Sequence, residues 1–172
     1  YQRKPTIENA SEFIFCALEQ NLDIAATRKN YVDYLAHRPR VEKIGEHGLF
    51  TDEGEPVVLG QVQNQVADHK GIVWTHVISL RREDAARLGY DSAVQWMALL
   101  RSKRAMLCKH MKIDSANLKW YAAFHNESHH PHVHLLVYSV KDGEGYLTKQ
   151  SIEAMRSELA HDIFRQDFAN IY

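Results

Sequence analysis

The sequence has almost no net charge, only two cysteines and no long apolar run, and each shortage excludes something. Twenty-one Lys and Arg stand against 22 Asp and Glu, a formal charge of −1, so bulk charge alone gives no sign of a polyanionic partner. Cys16 and Cys108 cannot form a disulfide framework and lack metal-site spacing, which fits a reducing compartment and a cytoplasmic location. The apolar stretches are too short and interrupted to span a bilayer, and no charged-then-apolar leader opens the chain, so no membrane partner is expected. Repeats, low-complexity tracts and Pro/Gly/Ser linkers are also missing, and residues 1–172 are read as a single domain. The first residue is Tyr1 rather than methionine, and the chain is expected to be a fragment of a longer protein.

What is present is a globular composition, 45% apolar and 25% charged, with one excess. There are 11 histidines, and five of them lie between His125 and His134. Asn9 followed by Glu12 predicts a capped helix through Phe13, Ala17 and Leu18. Further helices are predicted from Thr27 to His37, from Gln61 to Asp68, from an Asp91 cap to Met111, and from Thr148 to Asn170. Strands are predicted over Ile72–Leu80, Leu118–His125 and His132–Ser139. This order predicts an α+β fold, an antiparallel sheet with helices packed on one face.

The chemistry concentrates in the stretch from Phe124 to His134. His132 and His134 are two apart in a strand, so both imidazoles project from one face, and His125 ends the neighbouring strand. Three neutral imidazoles on rigid strands would make a facial metal site with open positions for substrate oxygen. His129 and His130, in the connection before Pro131, are candidates for supporting the ligands or touching phosphate, and His76 is either a core histidine or a lining residue. A His-Glu-x-x-His helix is absent, and although His125-x-Glu127 is shared with zinc deaminases, their Pro-Cys-x-x-Cys half is missing.

The pattern His125-x-Glu127-x(4)-His132-x-His134 before an apolar strand resembles the third motif of the HUH endonucleases, in particular the MobP/MobL-type relaxases of conjugative and mobilisable elements. Asn30 to Arg38 is similar to their first motif, a helix carrying the nucleophilic tyrosine, and Trp74 to Leu80 is similar to the strand between the two. The resemblance implies an HUH-like fold and metal-dependent, strand-specific nicking of single-stranded DNA at an origin of transfer, in a bacterial cytoplasm and alongside auxiliary relaxosome proteins. A tyrosine oxygen would attack the scissile phosphate, leaving a 5′-phosphotyrosine and a free 3′-hydroxyl. By its context the nucleophile is Tyr34, with Tyr31 on the same helix face and a tyrosine upstream of this chain as alternatives. Glu127 would orient a ligand or accept the tyrosine proton. The family implies Mg²⁺ or Mn²⁺, whereas ligand chemistry alone equally suits Zn²⁺ or Ni²⁺. Relaxases of this fold begin with a strand ahead of the tyrosine helix. Nothing before Asn9 supplies one, so the sheet is expected to lack it.

The neutral total hides segregation. Ile44 to His69 carries five acids and no Lys or Arg, while Arg81 to Lys112 carries eight bases against three acids. Arg81, Arg82, Arg101 and Arg104 in that stretch, with Arg38 and Arg40, are the candidate DNA contacts. Trp74, Trp120 and Tyr138 are available to stack bases, though strand aromatics more often pack a core. Two other readings stay open: an HUH replication initiator or transposase, and a non-catalytic, metal-stabilised nucleic-acid-binding domain.

Overall fold

The computed structural model describes residues 14–19 and 25–169, with side chains from residue 27 to 167. Four antiparallel strands, β1 (Ile14–Glu19), β2 (Trp74–Ser79), β3 (Leu118–His125) and β4 (His132–Ser139), form one sheet in the order β1-β2-β4-β3. The helices are α1 (Ala25–His37), α2 (Leu59–Asp68), α3 (Arg82–Leu88), α4 (Ala93–Arg101), α5 (Arg104–Met111), α6 (Lys149–Ile163) and α7 (Arg165–Ala169). The fold is α+β with an antiparallel sheet, as the sequence predicts.

Four expectations change. Residues 14–19 are a strand paired to β2, so the sheet has the strand ahead of the tyrosine helix that the sequence reading missed; Asn9, Glu12 and Phe13 lie outside the described residues. A continuous apolar run such as Ile14 to Leu18 suits a buried strand as well as a helix, and pairing with β2 decides it. The helix expected to run to Met111 is broken at Ser102 and Lys103, and it starts after Ser92 rather than Asp91. At the break the Ser102 hydroxyl donates to the Leu99 carbonyl, the local side-chain-to-backbone bond that competes with a helix ladder. Likewise, the last helix is divided at Phe164, whose ring is buried in the core.

Helices also cover both faces of the sheet, not one. Ile78, Trp120, Ala122, Phe124, Val133, Leu135 and Val137 project toward Trp96, Leu100, Leu107, Met111, Met155 and Leu159 of α4, α5 and α6. On the opposite face Tyr121, Ala123, Leu136 and Tyr138 meet Val32, Leu35 and Ala36 of α1 and Val62 and Val66 of α2. Trp120 and Tyr138 are therefore core residues, and Trp74 is half-buried with its indole N–H on the Gly145 carbonyl. α1 is fastened to the end of α2 by Arg28, which donates to the carbonyls of Val66, His69 and Gly71, where a cation meets the negative end of a helix. The free edge of β3 is covered by the chain after α1, through Glu42 N–H to Phe124 O at 2.9 Å and a mutual pair between Phe50 and Ala122. Among the described residues, no helix is long and apolar enough to cross a membrane.

His76 lies opposite Leu135 on the face covered by α4 to α6 and is completely buried, and burial holds its pKa at about 3. Above pH 6.5 it is neutral folded or unfolded and has no effect on the balance. As pH falls below that, only the unfolded chain takes up the proton, so stability drops until the folded value is reached. His76→Leu is expected to lessen the loss of unfolding free energy between pH 7.5 and 5.5 by about 1 kcal/mol, measured by urea titration of the metal-free protein. Equal losses in both proteins would refute this.

Candidate metal centre beside an exposed tyrosine

The site is built by sheet register. His125 and His132 are directly cross-strand at the mouth of the β3–β4 hairpin, and His134 is two residues further along β4, opposite Ala123 on one side and Val77 on the other. All three side chains therefore share the face that α1 covers. Their ring centroids lie 4.8 to 5.3 Å apart, and one nitrogen from each can be chosen so that all are within 4.8 Å of one another. Among the described residues this is the one His/Cys/Asp/Glu cluster with such geometry.

Burial and backbone carbonyls set the chemical state of the three rings. Burial depresses the pKa of each, His125 to about 4 and His134 to about 3, and the neighbouring imidazoles add to the effect at His134. They are neutral at pH 7. His125 Nε2 faces the Leu35 carbonyl at 3.1 Å, and His132 Nδ1 faces the His130 carbonyl at 3.0 Å. A carbonyl only accepts, so these nitrogens carry the protons, and the lone pairs are left on His125 Nδ1 and His132 Nε2. His125 Nδ1 and both ring nitrogens of His134 are buried without a hydrogen-bond partner. A neutral imidazole keeps one lone pair, so His125 Nδ1 and one His134 nitrogen are orphaned buried acceptors; with His132 Nε2 they give one donor from each ring, which fits a divalent cation as their common partner.

α1 places tyrosine over this cluster. The Tyr34 ring is 6.3 Å from both His125 and His134, centroid to centroid and edge-on, and 44% of the residue is exposed. Its hydroxyl accepts from Arg38 Nη1, one helical turn on. Tyr31 stacks on Tyr34 at 6.4 Å but is half-buried and interacts with Thr75, and burial pushes its pKa up to about 12. Glu127 lies between two cations, 3.5 Å from Arg38 Nη2 and 3.7 Å from Arg40 Nε. Arg40 adopts a left-handed backbone, φ 74°, and its carbonyl accepts from Asn126 N–H at 2.8 Å, which ties the end of the tyrosine helix to the histidine hairpin.

A family model described as MobL relaxases matches residues 1–172. The chain belongs to the MobL relaxase family. Membership implies DNA nicking in mobilisation, with DNA as substrate. No curated protein and no solved structure matches the chain.

Within this MobL relaxase, the residues singled out by sequence separate into four groups. His125, His132, His134, Tyr34, Glu127, Arg38 and Arg40 come together. His129 and His130 expose their side chains, and they support the site through backbone carbonyls, to Arg82 N–H and to the His132 ring. His76 is on the other face of the sheet and does not line the site. Of the remaining arginines, Arg81 pairs with Asp84 and Arg82 grips the hairpin connection. Arg101 donates to the Thr51 carbonyl, and the Thr51 hydroxyl donates to Trp120 O, five residues or roughly 17 Å up β3 from His125. Arg104 donates to Asp52, Ser115 and Leu118, about 23 Å from His125 at the far end of that strand. Both guanidinium groups are engaged in holding the fold. The Leu35 carbonyl was missed because a backbone acceptor leaves no mark in sequence.

Calorimetric titration is expected to show one Mn²⁺ or Zn²⁺ per chain in the wild type. His134→Ala is expected to weaken that affinity at least about tenfold, while His76→Leu leaves it unchanged. Equal affinity in His134→Ala would refute the assignment of the three imidazoles.

Proposed function

We propose that this chain nicks single-stranded DNA at an origin of transfer in the HUH manner, with Tyr34 as nucleophile and His125, His132 and His134 holding a divalent cation. The observation that carries the reading is the exposed Tyr34 ring lying over the same sheet face as the three neutral imidazoles. In the reaction Tyr34 Oη forms a bond to the scissile phosphorus as the P–O3′ bond breaks. The protein retains a 5′-phosphotyrosine, and the proton lost by tyrosine is balanced by the one gained by the 3′-hydroxyl. A cation bound by the histidines would polarise the phosphate and offset the charge that develops on it. Three nitrogen donors favour a transition metal over oxygen-seeking Mg²⁺.

The chain's own residues supply the rest. Arg38 holds the Tyr34 hydroxyl and, with Arg40, brings positive charge to where the phosphate would sit. Glu127 positions both guanidinium groups and stays outside the ligand set. Tyr31 serves as a packing partner, since burial pushes its pKa up and disfavours a nucleophilic role. Family membership favours the relaxase over a replication initiator or transposase.

The test is a denaturing gel of protein incubated with single-stranded origin oligonucleotide and Mn²⁺. Wild type and Tyr31→Phe are expected to show a band shifted by the mass of the DNA, and Tyr34→Phe none. Loss of the adduct in Tyr31→Phe with retention in Tyr34→Phe would overturn the assignment. An adduct with neither wild type nor variant under any metal would favour a non-catalytic binding domain.

A further inference from the structure

The connection between His125 and His132 has to be rigid for the two imidazoles to keep their relation, yet its sequence offers little to make it so. Residues 126–131 exceed the usual two-residue hairpin turn, and Ser128, His129 and His130 are exposed. Inside the connection there is one short backbone bond, Glu127 N–H to His125 O at 2.9 Å. The remaining restraint comes largely from outside, from the start of α3.

Arg82 supplies it at four consecutive residues. Its Nη2 donates to Asn126 Oδ1 at 2.7 Å and to the Glu127 carbonyl, its Nε donates to the Ser128 carbonyl at 3.0 Å, and its backbone N–H donates to the His129 carbonyl at 2.9 Å. That backbone donor is one of the first-turn N–H groups that a helix cannot satisfy internally. The next carbonyl along, that of His130, accepts from His132 Nδ1 and leaves Nε2 bare. A planar guanidinium reaches three acceptors in a fixed fork, which a lysine ammonium on its flexible stem does not reproduce.

We propose that Arg82 is a positioning residue for the metal centre, not a DNA phosphate contact. Its grip on residues 126–129 holds the His130 carbonyl where it fixes the His132 ring, and so sets the His125–His132 pair. This rests on the reading of the three histidines as metal ligands.

The experiment is calorimetric Mn²⁺ titration, without DNA, of wild type, Arg82→Ala, Arg82→Lys and Arg87→Ala. It is accompanied by thermal melts and by long-range ¹H–¹⁵N spectra of the metal-free His132 ring. Arg82→Ala and Arg82→Lys are expected to bind Mn²⁺ at least about tenfold more weakly, the size usual for groups that orient a ligand. Arg87→Ala, on the same helix but paired with Asp84 and Asp167, should bind as wild type. Millimolar guanidinium ion should restore part of the lost affinity in Arg82→Ala. The His132 ring should be the Nδ1–H tautomer in wild type and a mixture in both Arg82 variants. Wild-type affinity in a folded Arg82 variant, or lower melting temperature with affinity and tautomer intact, would overturn the proposal. A changed tautomer in a protein whose wild type takes up no metal would leave Arg82 as the hairpin's clamp and overturn the metal reading.

Discussion

The pairing of His125 with His132 across the β3–β4 ladder is the constraint on which the site depends. Side chains alternate along a strand, so this one register puts His125, His132 and His134 on a common face. A slip of one residue would turn His132 and His134 into the core beneath α4 to α6. The register is held by burial on both sides of the sheet. Phe124, Val133 and Leu135 are locked into one apolar layer, while Ala123, Leu136 and Tyr138 are locked into the other. Ala123, the cross-strand neighbour of His134, is small, and a larger side chain there would crowd the imidazole.

On that frame the electrostatics follow from burial. Imidazoles taken out of water stay neutral, and neutral rings close together can share a cation where charged ones would repel. Two backbone carbonyls, from Leu35 on the tyrosine helix and His130 on the hairpin, decide which nitrogen is left bare. Leu35 follows Tyr34 directly, so the helix that presents the tyrosine also orients the His125 imidazole. The site and α1 therefore cannot shift independently. Beside them, Arg38, Glu127 and Arg40 form a charged rim that links α1 to the hairpin.

What could be read in the sequence was local. β3 and β4 appear with the predicted bounds because each is a short, largely apolar run of strand length bounded by turn-forming residues. The histidine trio was legible from the period of a strand alone. β1 was not, since the run from Ile14 to Leu18 fits either element and its pairing with β2 is some 60 residues distant in sequence. The fate of the arginines was equally hidden. Counting charges in Arg81 to Lys112 suggested a basic face, but Arg82, Arg101 and Arg104 spend their donors on carbonyls and side chains brought in by the fold. A guanidinium's partner is a tertiary fact that a count of local charge does not contain.

In the proposed site three imidazoles from one sheet face hold a single ion and leave positions open for phosphate oxygen. X-ray absorption spectroscopy of the Mn²⁺- or Zn²⁺-loaded protein, before and after addition of a single-stranded oligonucleotide, tests this arrangement most directly. Three imidazole nitrogens plus oxygen neighbours are expected around the ion, with the imidazole count unchanged and a phosphorus scatterer appearing once DNA is added. A first shell with fewer than three imidazoles, or one already closed by protein ligands and unaltered by DNA, would contradict it.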